Sequence, residues 1–156
     1  MQLYRIVKRK FATSTEQVFD GEGARRYGGR WNSAGMRCVY LATSESLAIL
    51  EVLVHLNDSE LLNDYELYRI DMDDSAIIEL DQSYLPDDWQ EDPAPASTAQ
   101  IGDEWITSEM SLCLKVPSTI VPREFNCLLN LTHPDFDLEK LNVVKLSFEP
   151  DPRLAG

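Results

Sequence analysis

Residues 36–56, MRCVYLATSESLAILEVLVHL, hold the pattern on which the fold reading turns. MRCVYLA (36–42) reads as a strand, and Thr43 or Ser44 then supplies an N-cap. Glu45 in the first turn favours the helix dipole, so a helix is expected to run to Leu56, where Asn57-Asp58 ends it. Within it Leu47, Leu50 and Val54 mark an i, i+3, i+7 stripe, and Glu51 is the i+4 member of that stripe. Ile49, Val52, Leu53 and Leu56 make the opposite side apolar as well, which predicts a helix buried on nearly all sides. A carboxylate therefore stands where a core aliphatic belongs. Unpaired and buried it would be very costly, so it must meet a cation, collect hydrogen bonds or face a cavity. A structural salt bridge, or a helix edge that reaches solvent, would also account for it.

Upstream lies different material. Residues 20–35, DGEGARRYGGRWNSAG, hold five of the seven glycines, three arginines, two aromatics and almost no aliphatics, and read as a loop with unusual backbone freedom. Residues 2–7 before it alternate like a strand. Downstream, residues 65–72, 75–80, 111–116, 126–131 and 142–148 are strand candidates, with Pro117 breaking the one it follows. A short helix is expected around 98–109, although Gly102 weakens it. The acidic, proline-bearing segment 81–97 (DQSYLPDDWQEDPAPAS) has no period and reads as a surface excursion, because too little chain follows it to build a second core. About seven short strands and two or three helices that do not alternate regularly predict a compact α+β domain over residues 1–156 rather than a doubly wound parallel sheet.

At 156 residues one domain is expected, able to bury roughly 70% of the unfolded chain's surface. A hydrophobic fraction of 44% with 26% charged residues excludes disorder, collagen and a disulfide-dense scaffold. No apolar run approaches the ~20 residues of a membrane span, and the opening MQLYRIVKRKF lacks the apolar core of a secretion signal. Fourteen Lys and Arg stand against 27 Asp and Glu, a net charge of -13. Such a chain is a poor generic binder of nucleic acid or anionic membrane. It suits a basic protein partner, and acid serving solubility alone fits equally.

Cys38, Cys113 and Cys127 are odd in number, widely spaced and set in apolar stretches, so buried inert thiols in a reducing cytosol are expected. With two distant histidines and no metal-ligand motif, no metal site is expected. Arg25, Arg26 and Arg30 crowd around Gly28-Gly29, an arrangement that can present guanidinium to phosphate or carboxylate oxygens. It is neither a P-loop nor a Rossmann fingerprint, and a mobile surface turn explains it as well. Tyr27 and Tyr40 flank that loop, able to stack on a base or a nicotinamide ring or to serve as core aromatics, while Trp31 is expected to pack. His55, one turn after Glu51, is in reach of it, with a structural role preferred. Ser118 follows Pro117 at a strand end, where a hydroxyl can hold a ligand or cap a turn. No nucleophile elbow surrounds it, which argues against a serine hydrolase.

Three blocks, GEGARRYGGRWNSAG (21–35), VYLATSESLAILEVLVH (39–55) and VPSTIVPREFNCLLNLTHPDF (116–136), together resemble the RES domain, named for an arginine, a glutamate and a serine. They stand in family order and span most of the chain. The resemblance implies an ADP-ribosyltransferase-like fold of mixed or antiparallel β-sheet flanked by a few helices. It implies a toxin of a bacterial toxin–antitoxin pair, acting in the cytoplasm on NAD+ as substrate, without a metal. Hydrolysis or phosphorolysis of the nicotinamide–ribose bond would then deplete NAD+ and arrest growth. Position by position it makes Arg30 the arginine, Glu51 the glutamate and Ser118 the serine of a catalytic set, with Arg30, Ser118, Tyr27 and Tyr40 contacting the dinucleotide. The implied partners are an Xre-type helix-turn-helix antitoxin and a second copy of the chain. Two other readings stand beside this one: transfer of ADP-ribose to a particular protein, and a non-catalytic module gripping an anionic ligand.

Overall fold

The computed structural model describes residues 1–155. One seven-stranded mixed sheet organises them. Its strands are β1 (Gln2–Lys8), β2 (Val39–Ala42), β3 (Tyr65–Asp71), β4 (Ile77–Glu79), β5 (Cys113–Pro117), β6 (Phe125–Leu129) and β7 (Val144–Leu146), in the spatial order β4-β5-β6-β2-β1-β3-β7. Only β4 and β5 run parallel; every other neighbouring pair is antiparallel. The α+β expectation and all seven strands hold, with ends shifted by a few residues. Pro117 closes β5 instead of breaking it.

Alternation along the strands sends side chains to two faces. On β6, Cys127 and Leu129 enter one apolar cluster with Leu3, Val39 and Ile70, while Leu128 enters the other with Trp31, Trp105 and Val116. Helix α4 (Ala96–Ser108) covers this second face. Gly102 sits inside the unbroken helix for a reason: a Cβ there would lie 1.6 Å from the Trp31 carbonyl oxygen, so the helix crosses the backbone of the glycine-rich segment in direct contact. All three cysteines are free and buried, as expected.

Two short helices are additions to the sequence reading. α1 spans Thr15–Val18 and α2 spans Glu22–Tyr27, within the stretch expected to be a loop. Glu22 in the first turn of α2 receives Arg25 and Arg26 from about one turn downstream and Arg37 from beyond the helix. These local pairs give a six-residue helix a framework that no hydrophobic periodicity announces.

Helix α3 spans Glu45–Leu53, capped as expected by Ser44, whose Oγ accepts from the Leu47 amide at 3.1 Å. Its burial corrects the sequence reading. Only Leu47 and Ala48 are fully buried, against β1 and β2, while Leu50 is 39% and Val54 57% exposed. The helix lies on one side of the sheet with nothing stacked over it, so its outer apolar residues remain in water. No helix among the described residues is long and apolar enough to cross a membrane.

Candidate active site

Glu51 does face a cavity. With Arg30 it lines a cleft of about 500 Å³, a volume ordinary for a ligand pocket. The walls come from β1, the Gly28–Trp31 segment, α3, residues 92–94 and the β5–β6 connection. The first spatial requirement of the sequence reading, carboxylate and guanidinium in one hollow, is met.

Ser118 stands behind Glu51. It is fully buried, and its Oγ donates to Glu51 Oε1 at 2.7 Å while accepting from the amides of Ile120 at 3.1 Å and Val121 at 3.2 Å. The two amides fill the oxygen's acceptor capacity, so the single hydroxyl proton has one use, the carboxylate. Asn126 adds a second donor, Nδ2 to the same Oε1 at 2.7 Å. Antiparallel pairing of β6 with both β2 and β5 places Asn126 opposite Ala42 and Val116, which delivers it beneath α3. Both bonds converge on Oε1, and among the described residues Oε2 receives no protein donor.

Arg30 is held at both ends. Its carbonyl accepts from Thr98 Oγ1 at 2.7 Å, at the start of α4, and its Nη1 donates to the carbonyls of Trp89 at 2.9 Å and Glu91 at 2.8 Å. Nε and Nη2 have no protein acceptor among the described residues. The segment read as a surface excursion is therefore part of the site: its carbonyls orient Arg30, and Asp92, Pro93 and Ala94 form a wall of the cleft. Arg25 and Arg26 are committed to Glu22, whose carboxyl they hold down at about 2, chiefly through the Arg25 hydrogen bond, and neither lines the cleft.

The Gly-Gly-Arg-Trp-Asn segment is fixed by Asn32 and Tyr40. Buried Asn32 donates Nδ2 to the carbonyls of Ala24, Ser33 and Met36, and its Oδ1 accepts from Tyr40 Oη at 2.6 Å. Tyr40 Oη in turn accepts from the Trp31 amide at 3.0 Å. Burial raises the Tyr40 phenol well above its ordinary value, which keeps it the donor this network needs. A side chain at Gly29 would meet that oxygen, with a Cβ only 2.6 Å away. Tyr40 thus lines the cleft with its ring while its hydroxyl is structural. Trp31 packs, as expected, in the cluster beneath α4.

Tyr27 goes elsewhere. It ends α2, is 83% exposed and borders a separate hollow with Arg26 and Phe11. His55 does line the cleft, but it is exposed at the end of α3 and makes no hydrogen bond to Glu51, whose partners are Ser118 and Asn126. Cys38 also borders the cleft; burial pushes its thiol up to about 12, so it is no nucleophile at neutral pH.

Two site residues escaped the sequence reading, Asn126 and Arg5. β1 and β2 share a single register pair, Tyr4 with Ala42. Beyond it Arg5 bridges the strands, Nη1 donating to the Tyr40 carbonyl at 3.1 Å and Nε to the Val18 carbonyl at 2.7 Å. Burial draws its guanidinium down to about 10, still charged at neutral pH. Asp20 acts on it at longer range, but among the described residues no carboxylate lies within ion-pair distance, and Nη2 makes no hydrogen bond. An arginine at the centre of an apolar-alternating strand was the available signal. The cleft accordingly offers guanidinium donors from Arg5 and Arg30 and one poised carboxylate oxygen, a set matched to a ligand carrying anionic oxygens and hydroxyls.

A family model for the RES domain matches residues 2–151. Toxin Res of Yersinia enterocolitica is 51% identical over 154 residues, 99% of each chain. Toxin Res of Photorhabdus laumondii is 45% identical over 155 residues, covering 99% of this chain and 97% of its own. A Prs ADP-ribosylating toxin of a Sphingobium species is 40% identical over 138 residues, 86% of this chain and 84% of its own. The toxin in the M. tuberculosis MbcT–MbcA toxin–antitoxin complex shares the fold, with a TM-score of 0.67 over 94% of this chain and 84% of that one at 21% identity. With a family match over residues 2–151 and relatives 51% and 45% identical over nearly the whole chain, the chain belongs to the RES-domain family.

Proposed function

We propose that this protein is the toxin of a bacterial toxin–antitoxin pair and that it consumes NAD+ by cleaving the bond between nicotinamide and ribose. The observation that carries the reading is the cleft shared by Glu51 and Arg30, with Oε2 of the first and Nε and Nη2 of the second unclaimed by protein. The leaving group of NAD+ is a pyridinium that departs as neutral nicotinamide, so no general acid is needed, unlike ordinary glycoside hydrolysis with its two carboxylates. One carboxylate suffices. Glu51 Oε2 accepts a ribose hydroxyl and stabilises the positive charge developing at the anomeric carbon. Arg30, with Arg5, holds the pyrophosphate oxygens. Ser118 is a positioning residue, fixing Glu51 through Oε1, and Asn126 shares that task from the cleft wall. Tyr40 supplies an aromatic wall, and water or inorganic phosphate captures the cation.

Depletion of NAD+ would arrest growth in the cytoplasm. An Xre-type antitoxin is the proposed protein partner, and the charge of -13 would steer a basic DNA-binding protein toward the toxin. The proposed homodimer would cover the outer face of α3, where Leu50 and Val54 are exposed.

The test is incubation of antitoxin-free protein with NAD+, with and without phosphate, and identification of the products. Released nicotinamide with ADP-ribose or its phosphorylated form is expected. Glu51→Gln should lose on the order of 100-fold to 1,000-fold in turnover; a variant that consumes NAD+ at the parent rate overturns the assignment. A second reading, ADP-ribosylation of a particular protein, is favoured by the name of the Sphingobium relative. Labelled NAD+ in a cell lysate decides between them: one discrete labelled protein supports transfer, and bulk soluble product supports degradation.

A further inference from the structure

A second hollow, outside the cleft, has no part in the chemistry above. It is a groove of about 510 Å³ between the β4 edge of the sheet and the C-terminal half of α4. Its floor is apolar, built from Leu80, Ile101, Trp105 and Leu114. Its rim carries Ile78, Tyr84 and Met110, which are 41%, 71% and 66% exposed. Glu79, Asp81 and Glu104 give it an acidic side, Ser108 is its other polar residue, and no Lys, Arg or His lines it. Lys115 pairs with Glu79 at 3.4 Å and lies over the Phe125 ring at 4.2 Å.

We infer that this groove is a docking site for a basic amphipathic helix of a protein partner, apolar side inward and Lys or Arg over the acidic rim. Three large exposed apolar side chains gathered at one hollow mark an interaction surface, and the groove has the form that receives the apolar stripe of a helix. A strand is the poorer occupant, since β4 is three residues long and offers little ladder to extend. A second copy of this chain is poorer too, because its own net charge of -13 would bring acid against an acidic rim. The inference does not depend on what the cleft binds.

The probe is a synthetic helix of leucine and lysine with leucine at i, i+3, i+4 and i+7. A glutamate-for-lysine version and a scrambled one serve as controls. Binding to the full chain is read by anisotropy and by the NMR signal of the Trp105 indole, which lies in the groove floor and donates to Ser111 Oγ at 2.8 Å. The basic helix should saturate one site and shift that indole. Affinity should fall about tenfold or more in Met110→Lys and Ile78→Lys, and severalfold as salt rises to about 1 M, where the Debye length is near 3 Å. Both variants change exposed residues, and retained unfolding midpoints show that they fold. Equal binding by the glutamate or scrambled helix, or undiminished binding by both lysine variants, overturns the inference. So does a chain that is dimeric in solution and becomes monomeric on Met110→Lys, since the occupant is then a second copy.

Discussion

Ser118→Ala separates positioning of the carboxylate from general stability. The substitution removes one hydroxyl with three bonds: the donation to Glu51 Oε1 at 2.7 Å and the acceptances from Ile120 and Val121. A hydrogen bond to a charged group contributes about 1.5–3 kcal/mol. Both amides belong to half-buried residues and regain water in part, so their loss together costs about 1 kcal/mol. The total is about 3 kcal/mol, read as a lower urea midpoint at unchanged slope. In a Glu51→Ala background the first term is already gone, and Ser118→Ala should then cost only about 1 kcal/mol. The double-mutant cycle should therefore return a coupling of about 2 kcal/mol. In turnover, Ser118→Ala should lower kcat about tenfold, equivalent to 1.4 kcal/mol, with KM little changed, because the side chain is fully buried behind Glu51. Costs that add to within about 0.5 kcal/mol would refute the reasoning, as would a rise in KM with kcat intact.

Gly102→Ala places a Cβ 1.6 Å from the Trp31 carbonyl oxygen; either α4 or the Gly-Gly-Arg segment must move, and a loss above about 3 kcal/mol in thermal or urea unfolding is expected. Tyr27→Ala should leave the KM for NAD+ at the parent value, since Tyr27 borders a different hollow, whereas Arg30→Met should raise it about tenfold or more. The Glu22 carboxyl, held down at about 2 by Arg25 and Arg26, makes stability pH-dependent in a defined direction. Its folded value lies below its unfolded one, so its contribution is complete above the ordinary carboxylate range and is lost as pH falls toward 2. Unfolding of wild type and Glu22→Gln across pH 2–6 should thus converge at the acid end; a constant gap between them would contradict that.

The parts of the site that stood out in sequence are those whose signal is a local contradiction. Glu51 interrupts an apolar stripe, Gly28-Gly29 precedes Arg30, and Ser44 announces a helix start. All three signals lie within a few residues of what they report. Asn126 gave no such signal, and that of Arg5, a charge at the centre of an apolar-alternating strand, did not say what it would face. An asparagine near the start of a strand is unremarkable until β6 is known to lie between β2 and β5, with α3 above. Arg5 becomes a cleft residue only because β1 and β2 share one register pair.

Chain order and side-chain type therefore determined the seven strands, the two longer helices and the burial of the cysteines, because these follow from periodicity and caps within short windows, whereas the roles of Arg30, Glu51 and Ser118 came from the resemblance to the RES domain. Tertiary structure alone decided three things: that Arg25 and Arg26 are committed to Glu22, that segment 81–97 closes on Arg30 as a wall, and that nothing else among the described residues covers the outer face of α3; it also put Ser118 behind the carboxylate rather than in the cleft. The Arg30 and Ser118 contacts join residues 59 to 67 apart in the chain. Periodicity reports which face of an element is apolar and says nothing of what is laid against it.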